Sequence, residues 1–265
     1  MHFYRRWQPV AAISFDLDDT LYDNGPAIAR AEQWMLSHLR SEYLATAMLD
    51  KPRWLELKRN LLLARPELGQ DVSLARQHGI REAMVQGGMA ASLAEQEAQR
   101  VFAGFLAERS KIAVSESTHR LLTRLAERYP LAVITNGNLD LVQAGLSDYF
   151  TLVCKAGAGA RMKPAPDMFV QVQQALGLAP GQILHVGDHP ETDVLGARLH
   201  GFRAAWLNER RLPWQSLRLL PDVGRATLDE LDGLLLWSTP SGRERGAQAR
   251  PFIYPWRGLT RECRA

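Results

Sequence analysis

Cysteine is nearly absent: the 265 residues hold two, Cys154 and Cys263, far apart in the chain. Neither a disulfide framework nor a zinc cluster is expected from so few. Long apolar runs are missing as well. No stretch approaches the roughly 20 residues that a membrane-spanning helix requires, so no membrane partner is expected. The opening, Met1-His2-Phe3-Tyr4-Arg5-Arg6-Trp7, is basic, but it leads into a short strand and aspartates. A signal peptide would continue into an apolar region with a cleavage site. The cytoplasm is the expected compartment. The body also lacks an excess of either charge. The formal net charge is +3, yet six Arg against two Glu lie from Ser238 onward, leaving 26 basic and 27 acidic residues elsewhere. A near-neutral body argues against a nucleic-acid partner. The basic segment 238–265, rich in Pro and Gly and without periodicity, is expected to be disordered or loosely docked.

What is present is concentrated early. The apolar run Val10 to Phe15 ends in Asp16-Leu17-Asp18-Asp19-Thr20-Leu21-Tyr22. A buried strand cannot absorb Asp16 and Asp18, so the strand stops there and opens into a polar pocket. Residues two apart in an extended chain point the same way, which turns both carboxylates toward one cleft. Close carboxylates repel unless a cation or a proton lies between them. This is the setting for a Mg²⁺ site with one carboxylate as nucleophile and the other as acid/base.

From Asn24 to Ser110 no convincing strand occurs. Ile28 to Leu49, Arg53 to Ala64, Asp71 to Val85 and Ser92 to Arg109 read as helices. Ser92 and Glu95 stand at capping-box spacing, and Gly87-Gly88 ends the third helix. Beyond Ser110, helices alternate with short apolar runs. The helices are Ser117 to Arg128, Leu139 to Gly145, Pro166 to Leu176, Asp193 to Leu199 and Leu228 to Leu236. The strands are Leu131 to Ile134, Thr151 to Cys154, Ile183 to Val186 and Arg203 to Leu207. The pattern implies an α/β fold, a Rossmann-like parallel sheet covered by helices on both faces, with an inserted all-helical cap domain. The expected division is a catalytic core of 1–22 and 111–237, a cap of 23–110 and a tail of 238–265.

In open parallel sheets ligands bind at the carboxyl ends of the strands. Four such ends carry loaded residues in order: Asp16 and Asp18, then Thr135 and Asn136, then Lys163, then Asp188 and Asp193. Each alone has an ordinary structural explanation, as a cap, a turn or a solvated charge. Their ordered succession does not.

The motifs Asp16-Leu17-Asp18-Asp19-Thr20, Ile134-Thr135-Asn136-Gly137, Lys163-Pro164, and Gly187-Asp188 with Asp193 make the chain resemble a haloacid dehalogenase-like hydrolase of the phosphatase branch. The resemblance implies that Asp16 is the nucleophile and Asp18 the acid/base. It implies that Mg²⁺ is held by Asp16, the Asp18 main-chain carbonyl and Asp188. Thr135, Asn136 and Lys163 would hold the phosphoryl group, with Asp193 behind them orienting a metal-bound water or Lys163. His189, beside Asp188, departs from the acidic residue common in relatives and is expected to be exposed. Dehalogenases lack the second aspartate, so Asp18 implies phosphate esters, and a small phosphorylated metabolite is the implied partner.

The stretches Phe3-Tyr4-Arg5 and Ile13 to Asn24, with Ile134 to Asn138 and Leu184 to Asp188, resemble a narrower proteobacterial subgroup. That subgroup dephosphorylates flavin mononucleotide and the riboflavin precursor 5-amino-6-(5-phospho-D-ribitylamino)uracil. Trp34, Tyr43 and Trp54 would suit stacking on such a ring, or packing of the cap itself. Arg30 and Arg53 are open in the same way. A phosphomutase shares the four motifs. A phosphonate-cleaving enzyme needs a cap lysine, and Lys51 and Lys58 sit in solvent-facing patterns. A non-catalytic binding protein would not need all four motifs.

Overall fold

Alternation along the central strands sorts side chains to two faces of a single sheet. The computed structural model describes residues 1–209, 211–237 and 261–262. Along the chain these form β1 (His2–Phe3), β2 (Ala12–Phe15), α1 (Asn24–Glu42), α2 (Lys51–Ala64), α3 (Val72–Gln86), α4 (Ala91–Arg109), α5 (Glu116–Ala126), β3 (Leu131–Thr135), β4 (Leu152–Lys155), α6 (Asp167–Leu176), β5 (Ile183–Gly187), α7 (Gly196–Leu199), β6 (Arg203–Leu207), β7 (Val223–Ala226), α8 (Leu228–Trp237) and β8 (Arg261–Glu262). The sheet order is β1-β7-β6-β5-β2-β3-β4-β8. Every pairing is parallel except β1 with β7.

Ile13 and Phe15 of β2, Leu131 and Val133 of β3, and Leu184 and Val186 of β5 face one way, against Leu121, Leu122 and Leu125 of α5 and Leu231 and Leu235 of α8. Ala12, Ala132, Ile134 and Ile183 face the other way, against Met168, Phe169 and Val172 of α6 and Ala197 of α7. The central strands are buried on both faces, as their predominantly apolar sequences required. A third apolar cluster belongs to α1 through α4, with Met35, Leu39, Trp54, Ile80 and Phe105 fully buried. The expected Rossmann-like sheet with an all-helical insertion is therefore the observed fold.

Several expectations need correction. Leu139 to Gly145 is a run of turns, not a helix. Asp140 Oδ1 accepts from the backbone N–H of Val142 and Gln143, and Gly145 takes φ 69°. A local side-chain bond of this kind competes with helix propagation. Ser92 does not cap α4; the cap position is Ala90, with no side-chain bond, because the helix starts one residue before Ser92. β1 and β7 were not foreseen, being short and at one edge. Most of 238–265 lies outside the described residues, but β8 pairs in parallel with β4. Cys154 is disulfide-bonded, and no free cysteine occurs among the described residues. Separation along the sequence had suggested otherwise, but β4 lies next to a strand from the chain's last residues. No helix among the described residues is long and apolar enough to cross a membrane.

Candidate active site

The chemistry-bearing side chains converge at the carboxyl ends of β4, β3, β2 and β5, which are adjacent in the sheet. Asp16 follows β2 directly, and its N–H donates to Val186 O at 2.9 Å, so pairing with β5 continues into the site. The chain turns after Asp18 through Asp19, whose φ of 58° is left-handed and tolerated by aspartate. Asp19 Oδ1 then accepts from Asn24 N–H at 3.0 Å, where α1 begins.

Lys163 lies in the loop after β4 and is buried. Its Nζ donates to Asp16 Oδ1 at 2.6 Å, Ile134 O at 2.6 Å and Asp193 Oδ1 at 2.7 Å. Three ammonium hydrogens meet three acceptors. Asn136 fixes the backbone beneath it: its Oδ1 accepts from Lys163 N–H at 2.7 Å and its Nδ2 donates to Lys163 O at 3.1 Å. Thr135 is buried at the end of β3, with Oγ1 accepting from Gly137 N–H at 3.0 Å.

Asp193 is held from several sides. Beyond Lys163 it faces His185 Nε2 at 3.2 Å and accepts from His189 N–H at 2.9 Å through Oδ2. Gly187 is needed below it, because a Cβ there would overlap the Asp193 carboxylate. The nearby Lys163 ammonium holds the Asp193 carboxyl well below the usual carboxylate range, against its burial. Asp16 moves the other way. Burial pushes its carboxyl up to about 7, opposed by Lys163 and reinforced by Asp193 and Asp18.

Oxygen atoms of Asp16, Asp188 and Asp193 lie within 4.8 Å of one another. This all-oxygen set fits a hard divalent cation such as Mg²⁺. A buried nucleophile pushed toward neutrality has the electrostatic need that such a cation would meet. His189 is exposed, as expected, and also caps the turn Pro190–Leu195: its Nδ1 accepts from Glu191 and Thr192 N–H at 3.2 Å.

Asp18 has a partner that sequence reasoning missed. Arg109, the last residue of α4, donates from Nη2 to Asp18 Oδ1 and Oδ2, both at 2.7 Å. Tyr22 hydroxyl also donates to Asp18 Oδ1. An arginine at a helix C-terminus carries no special signal, since that is where basic residues commonly sit. His185 and Ser14 were also missed, both buried within strands, with Ser14 Oγ 3.0 Å from His185 Nδ1.

The aromatic residues of the insertion serve its own packing. Trp54 is buried, Trp34 stacks on His38 with centroids 4.9 Å apart, and Tyr43 hydroxyl donates to Glu97 at 2.8 Å. Arg30 and Arg53 bond backbone carbonyls within 24–111, at Glu108 and Lys111 and at Met48. Lys58 is half-buried rather than solvent-facing, with its Nζ over the Trp54 ring at 5.9 Å from the centroid. Burial, helped by Arg76, lowers its pKa.

Residues 10–201 match the family model described as haloacid dehalogenase-like hydrolase. The chain belongs to that family. This haloacid dehalogenase-like hydrolase is 38% identical to the 5-amino-6-(5-phospho-D-ribitylamino)uracil phosphatase YigB of Escherichia coli (strain K12), over 89% of the chain and 100% of the relative. It is 35% identical to a phosphoserine phosphatase of Thermus thermophilus, over 59% of the chain and 63% of the relative. Among solved structures it resembles a 2-haloacid dehalogenase of Pseudomonas syringae pv. tomato DC3000, with a TM-score of 0.81 and 31% identity. That match covers 86% of this chain and 99% of the other.

Proposed function

We propose that this hydrolase is a Mg²⁺-dependent phosphatase of small phosphorylated metabolites, acting through an aspartyl-phosphate. The carrying observation is Asp16, a buried carboxylate gripped by Lys163 at 2.6 Å and flanked by Asp188 and Asp193. Asp16 attacks phosphorus; the phosphorus–ester oxygen bond breaks, and Asp18 gives its proton to the leaving alkoxide. Water then attacks the acyl phosphate and yields a proton to Asp18. The phosphorus–Asp16 bond breaks, releasing inorganic phosphate and restoring both carboxyls. Lys163 offers a compact positive charge to the phosphoryl oxygens, and Thr135 with the Asn136 N–H cradles them. Asp16, Asp188 and the main-chain carbonyl of Asp18 would hold Mg²⁺, which would neutralise phosphate charge. Asp193 acts from behind by holding Lys163.

In this reading 1–22 and 111–237 form the catalytic core and 23–110 the cap. The similarity to the YigB phosphatase across the chain supports 5-amino-6-(5-phospho-D-ribitylamino)uracil as substrate. Flavin mononucleotide, which the narrower sequence resemblance adds, and a cytoplasmic place of action belong to the same proposal. The test is phosphate release from a panel of metabolite phosphates that includes both, with Mg²⁺ and after chelation. Mg²⁺-dependent turnover fastest on one of the two supports the reading. Turnover unaffected by chelation would remove the metal, and a faster unrelated ester would replace the substrate.

A further inference from the structure

Arg109 is almost completely withdrawn from water, with 3% of its side chain exposed. A buried guanidinium is costly unless fully compensated. Its compensation comes from the loop after β2. Nη2 bridges both oxygens of Asp18 at 2.7 Å, and Nη1 donates to Tyr22 hydroxyl at 3.2 Å. Tyr22 donates back to Asp18. Asp18 is thus held at both oxygens by a planar group and again by a phenol, which fixes the plane of its carboxyl. Gly137 closes the other side: a Cβ there would fall 2.6 Å from Asp18 Oδ2 and 3.2 Å from Arg109 Nη2.

We infer that Arg109 is a positioning residue for proton transfer, delivered to Asp18 by the helical insertion. The inference rests on the phosphatase reading, with Asp18 as proton carrier. Tyr22 is the brace that keeps the guanidinium fork in register. Because Arg109 ends α4, seating of the insertion against the sheet and aiming of the Asp18 carboxyl become one event. A structural tie between insertion and sheet would need neither the double contact nor the phenol.

The test separates aiming from stability by leaving group. p-Nitrophenolate departs without a proton, whereas an alkoxide needs one. Full-length wild type, Arg109→Ala, Arg109→Lys and Tyr22→Phe are compared with Mg²⁺. The substrates are p-nitrophenyl phosphate and the alkyl phosphate turned over fastest in the screen above. Misplacing one group costs about 10²-fold. In Arg109→Ala, kcat on the alkyl ester should fall by about that factor, with KM within about threefold. The pre-steady-state burst of p-nitrophenolate should keep its rate within about threefold, and Arg109→Lys should fall between. Should Arg109→Ala fail to fold, Tyr22→Phe should show the same selectivity at smaller size. Equal loss on both esters, or no loss on the alkyl ester, overturns the inference. A wild-type enzyme inert toward both esters overturns the phosphatase reading, and the inference with it.

Discussion

Lys163 Nζ and Asp16 Oδ1 lie 2.6 Å apart although 147 positions separate them in the chain. The same ammonium also serves Asp193 and the Ile134 carbonyl. One buried cation therefore stands between two buried carboxylates. It leaves them unequal: Asp193 is drawn down, and Asp16 stays high because burial outweighs its share of the charge.

That inequality predicts the behaviour of Asp16→Asn. Phosphate release should fall below detection, since an amide is not a nucleophile. Stability should change in the opposite sense. The unfolded carboxyl ionises near 3.8, whereas the folded one holds its proton to about 7. Above 3.8 the folded state binds more protons, so wild-type stability declines as pH rises from about 4 to 7. Asparagine carries no such cost. Without Mg²⁺ at pH 8 the variant should melt several degrees higher, about 2–4 °C per kcal/mol gained, and the gap should narrow at pH 5. Thermal melts at the two pH values check this; a lower melting point at pH 8 would sink it.

Lys163→Met removes the cation and leaves Asp16 and Asp193 facing one another in a buried site. Breaking a buried pair from one side costs about 3–5 kcal/mol. Urea denaturation at pH 8 should show a loss of that order. The double variant Asp16→Asn with Lys163→Met should lose less than the single, because one of the stranded carboxylates is gone. Additive losses would mean that the two residues do not share an energetic network.

How far the sequence disclosed this site follows from where each signal came from. Asp16, Lys163, Asp188 and Asp193 were legible only as a set: each alone reads as a cap, a turn or a solvated charge, but they follow successive strands in order. Their order along the chain matched the order of strands β2, β4 and β5. Arg109 was illegible, because a basic residue in a last helical turn is commonplace and its partner lies 91 positions away. His185 was illegible for another reason: a histidine inside an apolar strand reads as core until its neighbour across the sheet, Ser14, is known. The helical insertion was visible from the absence of strand patterns. The turns at Leu139 to Gly145 misread as helix because Leu141 and Ala144, three apart, both face the core, although Leu139 is only two positions before Leu141.

Gly137→Ala tests the crowding around Asp18. An added methyl would collide with Asp18 Oδ2 and press on Arg109 Nη2. The backbone there needs no left-handed conformation, so folding should survive. Activity should not: kcat should drop by about 10²-fold, the usual cost of a displaced catalytic group. Circular dichroism matching wild type, with kcat lowered on alkyl esters, is the expected pair of results. Unchanged kcat would show that Asp18 has room to spare.

His185 sets a pH dependence of its own. Its ring is buried between Ser14 Oγ at 3.0 Å and Asp193 Oδ1 at 3.2 Å. With Nε2 protonated it donates to Asp193, and Nδ1 accepts from the serine, a neutral tautomer assigned from the network. Burial lowers its pKa below the ordinary 6.5. As pH falls below 6.5, the unfolded chain gains a proton at this position that the folded ring refuses. Stability therefore declines through that window and is fully present above it. His185→Gln retains a donor and cannot titrate. The unfolding free-energy difference between wild type and His185→Gln should be largest near pH 7.5 and shrink toward pH 5.5. A difference independent of pH would mean that the folded ring takes up its proton as readily as the unfolded one. The link from Ser14 through His185 to the carboxylate that holds Lys163 would then have to carry a charge rather than a hydrogen bond.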